Sequence, residues 1–163
     1  MTLIHKFINL INQDVDNKNE TKTVPVMLRL ISVAMSAYFL FMLIYLMNVA
    51  LVIPIVVAVL CILLMCVAFL LTYKEKNNWV VWITHIGINM WIIVAILYLG
   101  WECGAQQFIT LLLVSIFMTS YVKRRLKLEY ATLLVLLHVA LHLFMMTNEP
   151  IYEQTFWQML YTH

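Results

Sequence analysis

Residues 50–73 read ALVIPIVVAVLCILLMCVAFLLTY, a run without one charged side chain. A helix rises about 1.5 Å per residue, and the hydrocarbon of a bilayer is about 30 Å thick. A run of this length and composition therefore reads as a transmembrane helix. Pro54 falls in its first turn, where the missing N–H costs little.

Working outward, four more apolar runs follow the same rule, at 26–47, 79–99, 106–122 and 130–147. The fourth is the shortest. The whole chain agrees with them: 64% of its 163 residues are hydrophobic and 11% are charged, with mean hydropathy +0.93. Ordinary soluble domains are about 45–50% apolar and about 25% charged. The expectation is an all-α integral membrane bundle of five transmembrane helices over 26–147, with the lipid bilayer as its first partner. A net charge of +2 gives no footing for nucleic acid.

Two flanks complete the layout. Within 1–25, Leu3, Ile4, Phe7, Ile8 and Ile11 recur at helical spacing, so 3–11 reads as a short amphipathic helix. A polar linker follows it. The polar first 26 residues hold no secretory signal peptide. Residues 148–163 form an aromatic-rich interfacial tail.

Lys and Arg set the orientation. Lys6, Lys18, Lys22 and Arg29 precede or open the first run, Lys74 and Lys76 follow the second, and Lys123, Arg124, Arg125 and Lys127 lie between the last two. These are all 10 basic residues. The opposite segments carry only Glu102, Glu149 and Glu153 as charges. The N-terminus is expected in the cytosol and the tail outside.

Polar side chains within spans are costly and therefore informative. They come as i, i+4 pairs: Ser32 with Ser36, His85 with Asn89, Ser115 with Thr119, His138 with His142. Packing and hydrogen-bond glue between helices is the ordinary role of such pairs. The second run has only Cys61 and Cys66, and is expected to face lipid more freely. The two histidines are weak metal or haem candidates, since neutral imidazole is a common ligand. They lack the Glu of a metalloprotease motif, and the three cysteines have no metal-binding spacing. No cofactor is expected. No nucleophile–base pair, phosphate loop or carboxylate pair points to an enzyme.

Residues 100–107, GWECGAQQ, interrupt the apolar pattern. They hold two of the 3 glycines and read as the outer turn between the third and fourth spans. Trp101, Glu102, Gln106 and Gln107 lie there, on the same side as Glu149 and Trp157. Aromatic rings beside carboxylates and amides suit a small ligand, and they equally suit an interfacial aromatic belt.

The stretch GWECGAQQF resembles the G-W-[D/E]-x-G-aromatic-Q element of six-span N-terminal sensor regions in bacterial membrane diguanylate cyclases, which carry GGDEF domains, and in related class III nucleotide cyclases. FINLIN near the N-terminus is similar to theirs as well. Ala105 stands where that family often has an aromatic residue, and no sixth span or catalytic domain is present. The resemblance implies a sensor module of a bacterial inner-membrane signalling protein, without its own enzyme activity. It also implies that Trp101, Glu102 and Gln106 bind a small molecule near the outer face. A homodimer is among the expected assemblies. The alternative reading is a small transport or accessory subunit with an inward polar stripe.

Overall fold

A computed structural model describes residues 23–119 and 122–151, the side chains of Thr23, Val24 and Glu102 excepted. The expected amphipathic helix at 3–11 and Trp157 lie outside the described residues. Within them the chain is all-helical: α1 Thr23–Val49, α2 Val52–Thr72, α3 Asn77–Leu99, α4 Gln107–Met118 and α5 Arg124–Thr147. A single 3-10 turn, Trp101–Cys103, follows α3.

Four of these helices, α1, α2, α3 and α5, are long and apolar enough to cross a membrane. α4 is different. It has 12 residues, which at about 1.5 Å each give about 18 Å. The expected fourth span of 106–122 is thus shorter as a helix. It begins after the glycine turn and ends at Met118. Thr119 adopts extended backbone (φ −76°, ψ 134°) as the C-cap.

Cross-helix contacts fix the directions. Arg29 near the start of α1 donates from Nε to the Thr72 hydroxyl at the end of α2, at 3.0 Å. Trp91 of α3 donates to the Tyr38 hydroxyl of α1 at 3.2 Å, so α1 and α3 meet at matching heights. His85 of α3 meets Ser115 near the end of α4 and Tyr130 near the start of α5. The helices therefore alternate in direction, and the described basic residues gather at one end of the bundle.

The core lies where α1, α2 and α3 meet. Phe39, Cys61, Met65, Ile88, Trp91 and Ile92 are buried there. Tyr38, Phe39 and Trp91 pack edge to face, with ring centroids 5.4–6.3 Å apart. Such pairs add about 0.5–1.5 kcal/mol each beyond area burial. Large apolar side chains such as Phe41, Leu70, Leu136 and Met146 point outward. In water that surface would be a liability; against acyl chains it is the expected exterior.

α2 is less lipid-facing than its composition suggests. It packs against both α1 and α3, the two most extensive helix pairings. Cys61 is buried and its Sγ lies 3.3 Å from the Gly87 carbonyl oxygen. The small residues let the backbones approach, as is usual between membrane helices. Cys66 is exposed. The least buried long helix is α5.

Candidate functional site

Two polar clusters hold α5 to the rest of the bundle. The first sits toward the basic end. His85 is buried; its Nδ1 lies 3.0 Å from the Tyr130 hydroxyl and its Nε2 lies 2.9 Å from Ser115 Oγ. Asn89 donates to the His85 carbonyl oxygen at 2.8 Å and to the Tyr130 hydroxyl at 2.5 Å.

Counting protons assigns the tautomer. Ser115 has one hydroxyl hydrogen and gives it to the Leu112 carbonyl at 3.0 Å. Its oxygen must then accept from His85, so Nε2 carries the proton. Nδ1 is left as an acceptor for the Tyr130 hydrogen, and the Tyr130 oxygen accepts from Asn89. The chain of bonds runs in one direction through three helices. Its one loose end is Asn89 Oδ1, which is buried and has no partner among the described residues.

Lys127 adds a second tie at the same end. Its ammonium donates to the Phe117 carbonyl at 3.2 Å and to the Thr119 carbonyl. A cation on the last carbonyls of a helix satisfies orphan acceptors and suits the dipole. This joins the end of α4 to the start of α5.

The second cluster lies toward the other end. The Trp101 indole packs against His138 with centroids 5.2 Å apart, and against His142 at 4.8 Å. His142 lies five residues before the last residue of α5 and His138 nine, about 8 and 14 Å down the helix axis. The 100–106 stretch therefore folds back into the bundle instead of projecting from it, which is why α4 is short. Non-helical backbone at such depth is tolerated only where protein covers it. Ala105 is buried here.

Both glycines of this stretch have positive φ: Gly100 at φ 86°, ψ 172° and Gly104 at φ 77°, ψ 2°. A Cβ on Gly100 would sit 3.4 Å from the Pro150 ring. Beside it, the Ile151 amide donates to the Leu97 carbonyl at 3.2 Å. Residues 148–151 thus return over the end of α3. Cys103 is half-buried in the turn.

Two buried polar atoms, one in this cluster and one at the end of the 100–106 stretch, have no partner among the described residues: His138 Nδ1 and Gln106 Oε1. Nearly all buried polar atoms in native proteins are bonded, so each exception calls for a reason. Gln107 and Glu149 are exposed.

The i, i+4 pairs divide into three kinds. Ser32 and Ser36 bond back to carbonyls of their own helix, at 2.9 and 2.8 Å. His85, Asn89 and Ser115 come together. His138 and His142 meet Trp101, not a third metal-binding side chain. No group of three His, Cys, Asp or Glu gathers among the described residues.

Sequence reading gave Tyr130 no role and used Arg29 and Lys127 for orientation alone. Arg29, read only as a topology signal, is buried with its guanidinium 4.0 Å from the Tyr73 ring centroid. Tyr130 was detectable by height: it and His85 stand similar distances from the basic ends of parallel helices. No family model, no curated protein and no solved structure matches this chain.

Proposed function

We propose that the chain is the membrane sensor region of a bacterial signalling protein, binding a small ligand at the outer cluster of Trp101, His138 and His142. The observation that carries this reading is the packing of one indole against both imidazoles while His138 Nδ1 stays buried and unbonded. A ligand that satisfies that atom gains a hydrogen bond without breaking one. It must also compete with or complete the Trp101 contact, so it changes how the outer half of α5 is held.

In this reading the chain crosses the inner membrane five times from a cytosolic N-terminus. The short α4 and the folded-back 100–106 stretch together make the fourth crossing. The His85–Tyr130 cluster holds the cytosolic end of α5, and the ligand biases the far end. A signal is then a shift between two packings that the ligand binds unequally. The likeness of GWECGAQQF to cyclase sensor regions supports the same role, with Trp101, Glu102 and Gln106 as site residues. The outer cluster supports it over a transport subunit, because the inner polar chain is internally bonded except for one atom.

Thermal-shift screening of the detergent-purified chain tests the proposal. A ligand that raises the Tm of the wild type is expected to lose most of that shift in Trp101→Ala. Hits that stabilise wild type, Trp101→Ala and Glu102→Gln alike would refute the site.

A further inference from the structure

We infer that the ligand class of the outer cluster is a small protonated amine with an apolar body. The inference rests on the site proposed above and adds the chemistry of what fills it.

Three observations converge on an ammonium. Gln106 Oε1 is an acceptor with no donor, and His138 Nδ1 lacks any partner. In the neutral imidazole with its proton on Nε2, that atom is an acceptor too. Because the imidazole can take that tautomer, a ligand N–H or O–H satisfies both atoms. The second observation is the Trp101 indole, whose face attracts a cation and whose body accepts apolar groups.

The third is charge. All 10 basic residues lie in the first 29 residues, the α2–α3 turn or the stretch around the start of α5. Among the described residues, no Lys or Arg lies at the end that holds Trp101. Its described carboxylate is Glu149, exposed beside Pro150, the residue that covers Gly100. An anionic ligand would find no positive partner there. An ammonium finds the exposed Glu149 carboxylate at this end, the Trp101 indole and two atoms that can accept. A primary amine fits better than a quaternary one, because a quaternary nitrogen has no hydrogen to give.

Four probes with one ring separate these contributions: benzylammonium, benzyl alcohol, benzyltrimethylammonium and benzoate. Each is titrated into the chain in nanodiscs, with empty nanodiscs to subtract partition into lipid. Benzylammonium is expected to bind about tenfold more tightly than the alcohol or the quaternary amine, the worth of one charge-assisted hydrogen bond. Benzoate is expected not to bind.

Gln106→Leu and His138→Phe are each expected to weaken benzylammonium several-fold. Gln106→Leu is the safer variant, since Oε1 supports nothing in the fold. If benzyl alcohol or benzoate binds as tightly as benzylammonium and needs Trp101, the site stands and the amine class is wrong. If benzylammonium binds equally to wild type, Gln106→Leu and Trp101→Leu, both the class and the site are wrong. If none of the four binds, the amine class is overturned, and the broader ligand screen decides the site separately.

Discussion

The Tyr130 hydroxyl of α5 stands 3.0 Å from Nδ1 of His85 on α3. Through this bond the least buried long helix is tied to the most buried one. Because Asn89 donates to the same hydroxyl, Tyr130 is donor and acceptor at once.

Tyr130→Phe is therefore expected to destabilise the bundle by about 1–2 kcal/mol, leaving both His85 Nδ1 and an Asn89 N–H unmet. Ser32→Ala, which removes only a bond back to its own helix, should cost less than about 0.5 kcal/mol. Denaturation in mixed micelles measures both. Equal losses for the two variants would mean the cross-helix chain contributes nothing.

Gly100 and Gly104 should respond differently to a methyl group. Gly100 lies in a backbone region that is essentially glycine-only, and its Cβ would meet Pro150 at 3.4 Å. Gly104 is left-handed with open space around it. Gly100→Ala is expected to cost about 2–3 kcal/mol and Gly104→Ala about 1 kcal/mol, with Gly104→Asn recovering part of that. Thermal unfolding of the three variants gives the order.

Gly87 tests the approach of α2 and α3. A Cβ there would come within 2.9 Å of the Met65 terminal methyl, the end of a flexible side chain. Gly87→Ala also gains helix propensity of about 1 kcal/mol. The sum is expected within about 1 kcal/mol of neutral, while Gly87→Leu should cost about 3 kcal/mol. Met65→Ala in the Gly87→Leu background should restore part of that loss.

Hydropathy made the long helices legible because their exteriors and interiors are both apolar; 50–73 and α2 differ by at most two residues at either end. The same logic obscured two features. Around 106–122 an apolar run continues past the helix, whose C-cap Thr119 has its carbonyl met by Lys127 rather than by helical bonding. The start of α5 lies six residues earlier than expected, because Arg124 and Arg125 end an apolar run without ending a helix. At the outer site, Trp101 with His138 and His142 could be named as separate candidates but not as one cluster. Their meeting depends on the 100–106 stretch folding inward, and composition carries no depth.

The whole account depends on α4 returning the chain to its basic end. Residues in the α2–α3 turn and at the start of α5 must then share one side, with the end of α5 on the other. Single cysteines at Glu75, Arg124 and Glu149, in a chain with Cys61, Cys66 and Cys103 replaced, can be labelled in sealed right-side-out vesicles with an impermeant maleimide. The expected result is labelling of Glu149→Cys alone in intact vesicles, and of all three after permeabilisation. Labelling of Arg124→Cys together with Glu149→Cys from outside would contradict the alternating bundle.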